Sequence, residues 1–138
     1  PCKFMSNYLS SQTLKALDQL LDDRHALSRL PKETYQHIYA QILATLGVTN
    51  KGWYLLGTEG CHLCHNIQAI IEHALAMTAV PIVFRVLDLA DSQDEALIDA
   101  LGVYIPILLT QDQMMLYPFG LMDVMNLLKS SAVKPWIV

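Results

Sequence analysis

The pattern of apolar and polar residues changes near Gly52, and this change divides the chain into two parts. Before Gly52, two stretches have apolar residues at helical spacing, one over about residues 11–27 and one over about residues 32–47. Pro31 interrupts the pattern between them. The sequence therefore predicts a two-helix N-terminal extension over residues 1–51, with no strand in it.

After Gly52, short apolar runs alternate with stretches of helical spacing. The predicted strands cover residues 53–56, 81–87, 103–109 and 114–117. The predicted helices begin at the cysteines, near Asp91 and near Pro118, and the last one ends at about Lys129. Strands joined by a crossover helix are expected to lie parallel, and the final two-strand turn antiparallel. The order β-α-β-α-β-β-α predicts an α/β fold with a four-stranded mixed sheet flanked by helices over residues 52–130, and a tail over residues 131–138.

Composition narrows the class of protein. The chain has 138 residues, of which 53% are apolar and 16% are charged, so we expect one domain with a substantial core. The net charge of −4 gives no basic footprint for nucleic acid. No apolar run approaches the roughly 20 residues that a membrane-spanning helix needs. We therefore expect neither nucleic acid nor a membrane as a partner.

Two of the three cysteines lie close together, in Cys61-His62-Leu63-Cys64-His65. As Cys-x-x-Cys, this segment is a dithiol that can cycle to a disulfide. As Cys-x-x-Cys-His, it is the attachment sequence for a c-type haem, with His65 as axial ligand. Half of a zinc site and a pair of inert thiols are further interpretations. A secreted disulfide-stapled domain would pair more cysteines, so we expect a reducing cytoplasm.

The strand before the cysteines favours the redox interpretation. A strand that runs into a helix through a short loop puts Cys61 at the helix N-terminus, where the helix dipole and free N–H groups stabilise a thiolate. Cys64 follows one turn later on the inward face, from which it can attack a mixed disulfide at Cys61. A protonated His62 would favour the thiolate further. A covalent haem needs a mostly helical pocket, and zinc needs a second ligand pair that the sequence lacks.

With these residues in place, residues 53–129 resemble the thioredoxin superfamily, and most closely small bacterial glutaredoxin-like proteins. The segments that carry the resemblance are Tyr54-Leu55-Leu56, residues 57–64, the strand ending at Asp88, Gly102-Val103-Tyr104-Ile105-Pro106 and Tyr117-Pro118-Phe119. The resemblance implies a thioredoxin fold and a thiol-disulfide oxidoreductase in which Cys61 attacks and Cys64 resolves. It also implies that Pro106 is a cis-proline, and that Ile105 offers backbone hydrogen bonds to a peptide or glutathione substrate.

The predicted substrate-binding residues are His62, Leu63, Tyr104, Ile105, Pro106, Phe119 and Gly120. Typical glutaredoxins have Pro-Tyr between the cysteines, Thr-Val-Pro at the cis-proline, and a Gly-Gly step followed by Asp at the last helix. This chain has instead His62-Leu63, Tyr104-Ile105-Pro106 and Pro118-Phe119-Gly120-Leu121. A disulfide-containing protein is therefore as admissible a partner as glutathione. We expect no metal, and no cofactor beyond glutathione as a candidate co-substrate.

The N-terminal extension lies outside the resemblance and leaves other function classes open. Two helices bury little apolar surface by themselves, so they either pack on the domain or form a docking or homodimer surface. The second hypothesis is accordingly a non-catalytic adaptor that works through these helices. Cys2 is then either an incidental thiol or a partner in an intermolecular disulfide. A metal or haem carrier is the third hypothesis.

Overall fold

The computed structural model describes residues 9–21, 31–79 and 81–137. Its helices are α1 Ser11–Leu21, α2 Lys32–Thr45, α3 His62–Ala76, α4 Glu95–Leu101 and α5 Leu121–Ile137. Its strands are β1 Trp53–Gly57, β2 Phe84–Asp88, β3 Ile107–Leu109 and β4 Met114–Leu116. Short 3-10 turns cover Leu89–Asp91 and Gly102–Tyr104. The predicted continuation of the first helix to about Leu27, and Cys2, lie outside the described residues.

Within the described residues, the four strands form one mixed sheet in the order β2-β1-β3-β4. β1 and β2 are parallel, whereas β3 is antiparallel to both β1 and β4. The α/β class, the four-stranded mixed sheet and the order of elements are thus confirmed. β1 lies inside the sheet, and all five of its residues are buried.

The expectation that a crossover helix produces parallel strands holds for β1 and β2 but not for β3. The connection from β2 to β3 contains α4, which has only seven residues. This connection starts from the end of β2 and returns to the same edge of the sheet, because the start of β3 pairs with the end of β1. Because the chain leaves β2 and re-enters the sheet at the same end of the strands, β3 must run in the direction opposite to β2.

Helices cover both faces of the sheet. On one face, α1, α2 and α4 share an apolar cluster with strand residues, and its fully buried members include Leu17, Ile42, Tyr54, Leu56, Leu97, Leu101, Ile107 and Leu109. On the other face, α3 and α5 share a second cluster, which includes Trp53, Leu55, Ile67, Ile71, Leu108 and Val124.

In the described part of the chain, no helix is both long and apolar enough to cross a membrane.

Two tyrosines fix α2 to the sheet. The Tyr35 hydroxyl donates a hydrogen bond to the Thr110 carbonyl oxygen, and the Tyr39 hydroxyl donates one to the Gly52 carbonyl oxygen over 2.7 Å. The Gly52 N–H in turn donates to the Tyr39 hydroxyl over 3.0 Å. The helical extension therefore packs on the sheet through both apolar side chains and buried hydrogen bonds, which are costly to leave unmade.

Asp94 joins the start of the described chain to α4. This carboxylate is only 5% exposed, and its Oδ2 accepts a hydrogen bond from the Leu9 N–H over 2.8 Å. Its Oδ1 accepts from the N–H groups of Ala96 and Leu97, so Asp94 is also the N-cap of α4. One buried side chain thus satisfies backbone donors from two distant parts of the sequence.

Several element boundaries differ from the prediction. β2 begins at Phe84 rather than at residue 81, and β3 begins at Ile107 rather than at residue 103. Both predicted segments contain a proline, which has no N–H to give to a strand ladder. α5 begins at Leu121 and continues past Lys129 to Ile137, through residues that we interpreted as a tail. No glycine or proline follows Lys129 until Pro135, so the backbone has no local signal to end the helix there.

We expect Asp94→Ala to lower the free energy of unfolding by about 2–4 kcal/mol, because it leaves several backbone donors without their acceptor. Urea unfolding at neutral pH measures this change. Asp99→Ala is the control, since Asp99 is an exposed carboxylate in the same helix, and its effect should stay within about 0.5 kcal/mol. Equal losses in the two variants would contradict the role assigned to Asp94.

Stability should also fall in alkaline solution through Tyr35. Burial, then the neighbouring Tyr39 and Asp112, raise the pKa of Tyr35 well above its ordinary value of 10.0. Above that value the unfolded chain loses this proton while the folded chain keeps it, so a contribution present below pH 10 is lost as pH rises toward the folded pKa. We therefore expect the stability advantage of wild type over Tyr35→Phe, measured by urea unfolding, to shrink between pH 8 and pH 11. An advantage that stays constant would contradict the prediction.

Candidate functional site

The candidate site lies at one edge of the sheet, where four chain segments meet. β1 and β2 end there at Gly57 and Asp88, which are register partners. Pro106 directly precedes β3, whose start pairs with the end of β1. The Tyr117 N–H, which follows β4, donates a hydrogen bond to the Pro106 carbonyl oxygen over 3.2 Å. We call this edge, formed by Gly57, Asp88, Pro106 and Tyr117, the site edge.

The loop after β1 delivers Cys61 to the start of α3. Gly60 has a φ of +82°, which a glycine adopts without strain. Cys61 is the N-cap residue of α3, and its Sγ accepts a hydrogen bond from the Cys64 backbone N–H over 3.1 Å. A disulfide joins Cys61 to Cys64, and their Cα atoms are 5.2 Å apart. The predicted position of Cys61 at a helix N-terminus is thus confirmed.

The two sulfur-bearing residues differ in exposure. Cys64 is only 4% exposed and faces inward, as predicted, whereas Cys61 is half-buried. A reagent from solution therefore reaches the Cys61 side of the disulfide more readily. The backbone N–H that points at the Cys61 sulfur would stabilise negative charge on that sulfur after reduction. Exposure and hydrogen bonding both single out Cys61 as the reactive member of the pair.

Gly57 belongs to the site, although the sequence marked it only as the end of an apolar run. A Cβ atom at this position would lie 2.9 Å from the Cys64 sulfur and 3.1 Å from the Cys64 Cβ. A side chain does not fit at these distances. Because glycine has none, Cys64 packs directly on the end of β1. A glycine between a buried strand and a cysteine pair was the available signal for this contact.

The histidines beside the cysteines are on the surface. His62 and His65 are exposed, and so is His73, near the end of the same helix. Leu63, between the cysteines, is 44% exposed. Among the residues that the structure describes, no three His, Cys, Asp or Glu side chains form a group that could hold a metal ion.

The segment before β3 approaches the site from the opposite face of the sheet. Tyr104 and Ile105 are half-buried and pack against the cluster of α1, α2 and α4, and Pro106 is buried. The Ile105–Pro106 peptide bond is cis, the conformation that the resemblance implies. The Tyr117–Pro118 bond at the same edge is also cis. Register thus brings Pro106 next to Gly57, which in turn contacts Cys64.

The start of α5 contributes the last predicted residues. Phe119 is half-buried and packs against the cluster of α3 and α5. The Gly120 N–H donates a hydrogen bond to the Asp123 carboxylate over 2.8 Å, so the chain's own side chain occupies this backbone donor. Asp123 was not among the predicted site residues, because the turn before α5 decides which N–H group its carboxylate reaches.

Comparisons with known proteins leave the site to be interpreted from its own geometry. No family model matches the chain, and no curated protein or solved structure matches it either. The chemistry of the site therefore rests on three features of the molecule: the disulfide, its position on the sheet and the exposed side chains near it.

We expect Gly57→Ala to lower the free energy of unfolding by about 1–3 kcal/mol, because the new methyl group would overlap the sulfur of Cys64, which is buried and bonded to Cys61. Urea unfolding of the disulfide form measures the change. Gly102→Ala is the matched control, since a Cβ at Gly102 would meet nothing within 4 Å. If the two variants lost the same stability, the Gly57–Cys64 contact would not be a constraint.

Proposed function

We propose that the protein is a thiol-disulfide oxidoreductase with a thioredoxin-like fold, similar to glutaredoxin-like proteins. One observation carries the proposal: the Cys61–Cys64 disulfide caps a helix that directly follows the central buried strand. One cysteine of the pair is accessible and the other is buried. This asymmetry suits a dithiol in which one sulfur attacks and the other resolves.

The topology supports the fold assignment. A sheet in the order β2-β1-β3-β4, with one parallel and two antiparallel pairings and helices on both faces, is compatible with a thioredoxin-like arrangement. The position of Pro106 directly before β3, whose start pairs with the end of β1 on which Cys64 packs, is a second supporting feature. Both features agree with the resemblance that the sequence motifs suggest.

The first step of the proposed reaction takes place on the reduced protein. The Cys61 thiolate attacks one sulfur of a substrate disulfide, so that a bond forms between Cys61 and that sulfur while the substrate S–S bond breaks. The leaving thiolate takes a proton from water and departs as a thiol. The Cys64 N–H, which points at the Cys61 sulfur, favours the attacking thiolate.

The second step closes the disulfide seen in the structure. Cys64 loses its proton to solvent and attacks the Cys61 sulfur, so that the Cys61–Cys64 bond forms and the mixed disulfide breaks. The second substrate thiolate leaves and is protonated. Counting the proton that Cys61 released when its thiolate formed, the protein has then given up two electrons and two protons, and the substrate has become two thiols. A low-molecular-weight thiol or a protein dithiol, which a reducing cytoplasm supplies, must return the electrons.

We expect Cys61→Ser to abolish reduction of insulin disulfides in a turbidity assay with dithiothreitol, because the attacking sulfur is gone. Cys64→Ser, reduced first and then freed of dithiothreitol, should still attack insulin, but it should accumulate a mixed disulfide with the substrate that mass spectrometry detects. Cys2→Ser is the matched cysteine control and should keep wild-type activity.

The proposal fails if the wild-type protein reduces no disulfide and the pKa of Cys61, followed by thiolate absorbance, lies near the ordinary value of about 8.5. It also fails if Cys61→Ser retains activity. Retention of the cellular phenotype in a Cys61→Ser/Cys64→Ser double variant, together with its loss on removal of residues 1–51, would instead favour an adaptor that works through the N-terminal helices.

A further inference from the structure

Several large apolar side chains are exposed on the protein. Among the described residues, those with substantial exposure are Leu63, Met77, Val83, Val86, Val103 and Met122. Half of this set belongs to segments that lead to the site edge: Leu63 lies between the cysteines, Val103 is 81% exposed just before Ile105, and Met122 is 69% exposed just after Gly120. We call Leu63, Val103 and Met122 the apolar rim.

The fold explains why these three residues border the same site. α3 and α5 both begin at the site edge, so Leu63 and Met122 each lie in the first turn of a helix that starts there. Val103 lies in the 3-10 turn that leads into Pro106 at the same edge. Exposed apolar side chains that border a reactive group together are typical of a binding surface. Single exposed apolar residues scattered over a protein are not.

Charge at the site edge disfavours an anionic substrate. The segments that form this edge, residues 57–66, 88–91, 102–107 and 116–123, contain four carboxylates, two histidines and neither lysine nor arginine. These carboxylates belong to Glu59, Asp88, Asp91 and Asp123. The Asp123 carboxylate also occupies the Gly120 N–H, a donor at the start of a helix that a substrate carboxylate would otherwise use. Glutathione disulfide, which is net negative, would therefore meet like charge and an occupied donor.

We propose that the physiological substrate is a polypeptide disulfide whose cysteine has apolar neighbours, in preference to glutathione disulfide. This inference rests on the oxidoreductase function proposed above and names the substrate class of the same site. Leu63, Val103 and Met122 bind the apolar neighbours and so lose water when the substrate docks. An uncharged or basic polypeptide does not meet the repulsion that opposes glutathione disulfide.

The test is the single-turnover rate at which the reduced full-length protein is oxidised, followed by acid quench and mass spectrometry. Three substrates are compared at equal concentration: a symmetric peptide disulfide with Leu on both sides of the cysteine, the same peptide with Ser in those positions, and glutathione disulfide. Both peptides have blocked termini and no charged residues. We expect wild type to react about tenfold faster with the Leu peptide than with either other substrate.

Substitutions in the apolar rim distinguish a loss of substrate binding from a general loss of reactivity. Leu63→Ser, Val103→Ser and Met122→Ser should each slow the reaction with the Leu peptide about threefold to tenfold more than they slow the reaction with the Ser peptide. Met77→Ser is the matched control, because Met77 is 52% exposed just after the other end of α3. It should react like wild type with all three substrates.

The inference is overturned if glutathione disulfide reacts as fast as the Leu peptide, or if the rim variants slow the Leu and Ser peptides equally. It is also overturned if Met77→Ser has the same selective loss as the rim variants. A reduced protein that reacts with none of the three substrates would overturn the proposed oxidoreductase function itself. The two failures are therefore distinguishable within one set of measurements.

Discussion

The direct packing of Cys64 on Gly57 is the constraint on which the geometry of the site depends. β1 is buried along its whole length and takes part in the apolar clusters on both faces, so its end has little freedom to move. Because Gly57 has no side chain, the first turn of α3 sits on that end with the Cys64 sulfur at the contact. Cys61, which caps the same turn, is thereby held at the edge of the sheet with its sulfur facing a backbone N–H.

The helices divide their roles between the two faces of the sheet. α3 and α5 cover one face and both begin at the site edge, so they carry residues of the site itself. α1, α2 and α4 cover the other face, where Tyr54 and Leu56 would be exposed without them. Asp94 and Tyr35 add buried hydrogen bonds to this second layer, and Tyr39 adds a partly buried one. The N-terminal helices therefore stabilise the same strand whose end positions the cysteines, whatever further surface they offer.

The order of elements and the placement of the cysteines could be predicted from the sequence because they depend on local signals. A change from helical spacing to short apolar runs marks Gly52, and a spacing of one turn puts Cys64 inward of Cys61. Contacts between distant residues could not be predicted in this way. The Leu9–Asp94 bond spans 85 positions, and the Gly57–Cys64 contact depends on how closely a helix docks on a strand. The direction of β3 was also missed, because it is set by where a short connection returns to the sheet.

The chemistry of the site depends on backbone geometry, whereas its specificity depends on exposed side chains. The proposed thiol-disulfide exchange uses a sulfur at a helix N-terminus and a second sulfur one turn later, and backbone geometry supplies both positions. Choice of substrate depends instead on exposed side chains, and these are under no packing constraint, so the fold does not determine them. Leu63, Val103 and Met122 are of this kind. One backbone geometry at a cysteine pair can therefore suit a small anionic disulfide or an apolar polypeptide, depending on the side chains exposed around the pair.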